Sequence, residues 1–225
     1  MINPIYNNNN ANNIKRKKIV DVLSEMEEIA RKDYLPSIGP IKGKIIGDII
    51  KKYKPKRILE IGTLHGYSAI LMANFLLSVN DNNNTTKFIV VCLEIDKKLA
   101  NIAKKNIEKA GLSDKIKVIN GDALEIIPKL NNNQYRFDLV FIDAVKNQYL
   151  EYLKLIEEND LMNKEETAAV VVIADNVLIY ENEMRDYLDY VRNSGQYNSY
   201  TTETTLEFTK NVKDALEVSI RANLD

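Results

Sequence analysis

The chain has 225 residues, 45% of them hydrophobic, with 31 Lys+Arg against 32 Asp+Glu and a formal net charge of -1. That supplies one sizeable core and favours one domain over two, while the balanced charge offers no global positive field to recruit nucleic acid or anionic lipid, so a small molecule is the expected partner. A single cysteine, Cys92, and a single histidine, His65, exclude an internal disulfide, a Cys/His zinc cluster and a multi-histidine centre, so any metal would be held by oxygen.

The N-terminus carries neither a signal-peptide apolar run nor a membrane span, which predicts a soluble, cytoplasmic chain. Asparagines cluster at Asn7 to Asn10, Asn82 to Asn84 and Asn131 to Asn133. The first tract is expected to be part of a disordered tail over residues 1–13, ahead of a single domain over 14–225, and the other two to be loop expansions. From Ile14 to Tyr34 apolar residues recur at helical spacing until LPSIGP stops them, and a second helix is expected from Ile41 to Tyr53.

After Pro55 short apolar runs at Arg57 to Ile61, Phe88 to Leu93, Ile116 to Asn120, Phe137 to Ile142 and Ala168 to Ala174 alternate with amphipathic segments. The segments are Tyr67 to Leu77, Lys97 to Ala110 (closed by Gly111), Ala123 to Leu130, Gln148 to Glu158 and Glu181 to Asn193. This is the rhythm of a parallel α/β sheet covered by helices on both faces. Two closing β-like runs, Tyr197 to Phe208 and Val212 to Ile220, would pair antiparallel at its edge.

Ligands of such a sheet bind beyond the carboxyl ends of its strands. The first strand ends in an E-x-G-x-x-x-G turn, Glu60, Gly62 and Gly66, with Ser68 opening the next helix, where glycine either lets the backbone approach a ligand or serves conformation alone. Glu94, ending the second strand, is either a ribose-binding carboxylate or a solvated helix-start residue. NGDA, Asn120 to Ala123, offers a backbone edge to a base. Asp143, Asp175 and Asn176 end the fourth and fifth strands, as hard oxygen ligands suited to Mg2+ or, for the aspartates, as helix caps. Lys146 follows Asp143 by three residues and, as an isolated lysine, would be an exposed first-turn residue. Tyr149, Tyr152, Tyr187 and Tyr190 fit packing better than stacking on a ligand, His65 fits a loop position, and Lys15 to Lys18 fit a solvated helix start.

In the order SIGPIKGKIIGDII, ILEIGTLHGYSAI, LEID, INGDALEIIPKL, FDLVFIDAVKNQYL, ADNVL and VRNSGQYNSYTTETTLEFTKNVKDALEVSI, the chain resembles the cation-dependent class I S-adenosylmethionine O-methyltransferases, in particular the catechol O-methyltransferases. The resemblance implies a seven-stranded, mostly parallel Rossmann-like sheet with an antiparallel edge strand and extra N-terminal helices. It implies cofactor contacts at Ile38, Glu60, Gly62, Ser68, Glu94, Ala123 and Asp143, and Mg2+ ligands at Asp143, Asp175 and Asn176. It makes Lys146 the catalytic lysine and Glu207 the second substrate-binding carboxylate, with Asn176 also touching substrate.

The implied reaction is methyl transfer from S-adenosylmethionine to one hydroxyl of a catechol. Ala144 and Val145 stand where catechol enzymes have histidine and tryptophan; Tyr34 and Tyr180 are the aromatic candidates to replace part of that wall. Ala144 and the GDA at Gly121 to Ala123 look more like the branch acting on caffeoyl-type phenols. Methylation of a modified tRNA nucleoside and cofactor binding without catalysis are the competing readings.

Overall fold

A computed structural model describes residues 4–33, 35–79, 88–131, 135–165, 169–207, 209 and 211–221. Helices α1 (Pro4–Asp33) and α2 (Gly39–Tyr53) precede the strands β1 (Arg57–Ile61), β2 (Ile89–Glu94), β3 (Ile116–Asn120), β4 (Leu139–Ile142) and β5 (Val171–Ala174). Between and after them lie α3 (Tyr67–Val79), α4 (Lys97–Ala110), α5 (Ala123–Leu130), α6 (Tyr149–Glu158) and α7 (Arg185–Asn193), and the chain closes with β6 (Tyr197–Thr205) and β7 (Lys213–Arg221).

The strands form one seven-stranded sheet in the order β3-β2-β1-β4-β5-β7-β6, a Rossmann-like arrangement in which the first five run parallel and β7 is antiparallel to both neighbours. The order reverses between β1 and β4, the switch point at which ligands of doubly wound sheets bind. Alternation along each strand splits the core in two. Ile58, Val90, Cys92 and Phe141 face α1 to α4, whereas Leu59, Val91, Val140 and Val172 face α5 to α7.

Several boundaries depart from the sequence reading; α7, for one, begins at Arg185 rather than Glu181. Helix α1 begins at Pro4 and runs through the asparagine tract assigned to a disordered tail. Proline suits a first helical position, and adding asparagines to an existing helix costs far less than nucleating one. The β4 strand begins at Leu139 because Phe137 instead forms an isolated bridge with Met162. Asn82 to Asn84, Asn132 and Asn133 lie outside the described residues, and among those described no helix is long and apolar enough to cross a membrane.

Candidate active site

At the switch point, the turn after β1 forms the floor of a cavity of about 540 Å³. Gly62 has φ +85, and its N–H donates to the Leu93 carbonyl at 3.0 Å; a Cβ there would overlap the Asp143 carbonyl. Glycine therefore allows the exits of β1, β2 and β4 to converge. Leu64, held at φ +49, donates its N–H to Glu94 Oε2 at 2.8 Å, and Asp96 N–H donates to Glu94 Oε1 at 3.0 Å. Glu94 is thus a cavity-lining carboxylate that also clamps the turn, and each oxygen retains a lone pair for a ligand hydroxyl.

Of the expected cofactor residues, Ile38, Gly62, Ser68, Glu94, Ala123 and Asp143 line this cavity. Glu60 lies behind it, fully buried, accepting hydrogen bonds from the Ser68 and Thr63 hydroxyls. Burial pushes Glu60 up to about 7 despite those bonds. The opposite wall comes from α1 through Val22, Met26, Ile29 and Ala30, with Tyr67 Oη donating to Glu27 Oε1 at 2.6 Å. The structure thus makes α1 the cover of the cavity.

Asp143 and Asp175 follow the register pair Ile142 and Ala174 on adjacent parallel strands, so neighbouring strand ends present two carboxylates. They are engaged by side chains of other elements. Lys146 Nζ donates to Asp143 Oδ1 at 2.8 Å and to Tyr149 Oη at 2.9 Å, with the Tyr180 ring centroid 5.7 Å away. Lys146 is therefore tied into the site. Lys42, 1% exposed on α2, donates to Asp175 Oδ1 and Asp214 Oδ2 at 2.5 Å each. Burial alone would lower the Lys42 pKa, but the Asp175 and Asp214 carboxylates outweigh it and raise the value. Burial, followed by repulsion from Asp143, pushes Asp175 up to about 7.

A hard cation suits these donors. Two carboxylates and the Asn176 amide are oxygen ligands of the kind Mg2+ takes, and Asn176 is held at φ +64, a left-handed conformation that only a few non-glycine residues adopt. Among the described residues no group of three or more His, Cys, Asp or Glu is placed to hold a metal ion, so the set that would hold one is two carboxylates and an amide.

Glu207 sits apart from the cavity lining: its Oε1 accepts the Ile41 N–H at 2.6 Å, placing the carboxylate on the positive N-terminus of α2. Burial, then Glu27, raises its pKa. Val145 is half-exposed and Tyr180 partly exposed beside Lys146, while Tyr34 lies outside the described residues.

Sequence reasoning missed Lys42, Asp214 and the hydroxyl of Tyr149. A signal for Lys42 was present, since helical spacing puts it on the same buried face as Ile46 and Ile49. Tyr149, read as a packing residue, is fully buried, yet its hydroxyl meets Lys146 and the Ala144 N–H.

Comparison with known proteins agrees with this architecture. A family model described as O-methyltransferase matches residues 15–193. Catechol O-methyltransferase B of Danio rerio is 33% identical over 202 residues, covering 88% of this chain and 71% of that protein. Catechol O-methyltransferase of Sus scrofa is 32% identical over 185 residues, 81% of this chain and 91% of that one. Among solved structures, an O-methyltransferase from Bacillus cereus in complex with SAH superposes with a TM-score of 0.75 at 27% identity, over 90% of this chain and 91% of that one. The chain belongs to the O-methyltransferase family.

Proposed function

We propose that this O-methyltransferase moves a methyl group from S-adenosylmethionine to one hydroxyl of a catechol-type phenol, with Mg2+ held by Asp143, Asp175 and Asn176 and with Lys146 as general base. The observation carrying the reading is the position of Asp143, which lines the cavity on one side and receives Lys146 Nζ at 2.8 Å on the other. Cofactor pocket and catalytic amine therefore meet at one residue. The complex with SAH of the Bacillus cereus relative and the names of the catechol enzymes support the choice of methyl donor and acceptor.

A phenolic hydroxyl titrates near pH ~10, so near neutral pH little of it is the nucleophilic phenolate. When bound, Mg2+ supplies a positive charge that favours that anion. The chain's own residues supply the rest. Ile38, Gly62, Ser68, Glu94 and Ala123 hold the methyl donor, with Glu60 fixing the turn from behind through Ser68 and Thr63. Lys146 takes the phenolic proton, the oxygen–methyl bond forms as the sulfur–methyl bond breaks, and the sulfur keeps that electron pair. Holding oxygen and methyl carbon in line could remove roughly 7 to 11 kcal/mol from the barrier. Tyr149, buried under Lys146, holds the amine by accepting its hydrogen bond.

Purified protein given S-adenosylmethionine and a dihydroxybenzoate should yield methylated product that EDTA abolishes and Mg2+ restores. EDTA-resistant turnover would remove the metal from the mechanism, and methyl transfer to no phenol would remove the activity. One observation favours a bulkier acceptor: Val145 is half-exposed and Tyr180 is 38% exposed, leaving the wall beside Lys146 open. A caffeoyl conjugate in the same assay tests it, the open wall predicting a higher kcat/KM than for the simple catechol.

A further inference from the structure

Lys42 and Asp214 belong to none of the groups so far given a chemical task. Lys42 reaches from α2 to Asp175 Oδ1 and Asp214 Oδ2, and all three side chains are almost wholly buried. Asp214 also accepts from Asn176 Nδ2 at 2.8 Å and from the Ile179 N–H at 3.4 Å. An ionised carboxylate only accepts hydrogen bonds, so it selects the nitrogen end of the Asn176 amide and turns the carbonyl oxygen away. Asp175 Oδ1 is similarly taken by Lys42 and by the Asn176 N–H at 2.7 Å, which leaves Oδ2 as the oxygen free to face a ligand.

We infer that Lys42 and Asp214 are positioning residues for the cation site, fixing which oxygens of Asp175 and Asn176 are presented beside Asp143. This rests on the metal reading above and extends it to groups that touch neither metal nor substrate. An ion pair serving only to fasten α2 to the sheet would need two partners, Lys42 and one aspartate. Here a second aspartate shares Lys42 and at the same oxygen also holds the amide of Asn176, whose backbone is left-handed at φ +64. Lys42 keeps the two carboxylates from repelling each other out of position, since an unpaired buried charge is strongly disfavoured.

Mn2+ binding to the full-length protein, followed by electron paramagnetic resonance, tests the inference together with S-adenosylmethionine affinity by calorimetry in the absence of metal and the thermal midpoint. In Asp214→Asn the new amide no longer dictates the orientation of Asn176, and Mn2+ affinity should fall about 10- to 100-fold. Cofactor affinity should stay within about twofold, because Asp214 does not line the cavity. Lys42→Arg, which keeps the buried charge but changes its reach, should lose about tenfold in Mn2+ affinity and provides the reading if Asp214→Asn does not fold. Wild-type protein that takes up no Mn2+ would defeat the metal reading and this inference together. Wild-type uptake with unchanged Mn2+ affinity in the folded variants, whatever their thermal midpoint, would defeat this inference alone and leave a structural ion pair.

Discussion

Replacing Glu60 by glutamine removes a charge that the fold holds without any counter-ion among its hydrogen-bond partners. The carboxyl is fully buried on the α3 side of β1, and its pKa rises from the ordinary 4.5 to about 7, with burial as the main cause. Below the ordinary value both folded and unfolded chains hold the proton; between the two values the folded chain holds it and the unfolded chain does not. Stability therefore falls as pH rises through this window, by about 1.4 kcal/mol per unit and about 3 kcal/mol in all. Glutamine occupies the same volume and stays neutral, while the Ser68 and Thr63 hydroxyls can rotate to donate to its oxygen and accept from its nitrogen. Urea unfolding of both proteins at fixed pH values from 5 to 8 isolates the effect, since every other titrating group cancels in the difference. Glu60→Gln should gain on the wild type with rising pH and level off above pH 7. Parallel pH profiles for the two proteins would refute the reasoning.

Lys146→Ala should keep S-adenosylmethionine affinity within about twofold by calorimetry while kcat falls roughly 10²- to 10⁴-fold, the usual worth of a positioned acid or base. Asp138→Ala should cost about 3 kcal/mol in urea unfolding and leave cofactor affinity unchanged, because the carboxylate accepts the Lys56 and Arg57 N–H groups at 2.7 and 2.8 Å at the far end of β1. Gly62→Ala should abolish cofactor binding, its Cβ overlapping the Asp143 carbonyl; Gly195→Ala, with φ +76 but no atom within 4 Å of the added carbon, should cost only about 1 kcal/mol in thermal or urea unfolding.

The alternation of apolar runs with amphipathic segments made β1 to β5 and their helices legible, because strand and helix periods differ and each buried face must repeat with its own period. Local chemistry fixed several boundaries to the residue. Asp96 caps α4 through the Lys98 and Leu99 N–H groups, Gly111 ends it in a left-handed turn, and Asp122 caps α5. The strand-tip rule likewise located Gly62, Glu94, Asp143 and Asp175, since a parallel sheet delivers all its carboxyl ends to one edge. The sequence left open whether the two aspartates cap helices. In the structure Asp143 receives Lys146 and Asp175 receives Lys42 and the Asn176 N–H.

Partnerships across long stretches of chain were not legible. Lys42 and Asp175 are 133 residues apart, Lys42 and Asp214 are 172, and Glu207 meets the N-terminus of α2 across 166. Nothing in the composition of any one segment signals such a pairing, because it depends on where the sheet order brings α2, β5 and β7 together. By itself the sequence determined the elements, the edge at which chemistry would gather and the oxygen-rich character of its donors, all of which follow from period and residue type. Only the tertiary structure decided which oxygen each donor turns outward, that α1 covers the cavity, and that a lysine in an apolar helix face is neutralised by two carboxylates, since those follow from distance and burial.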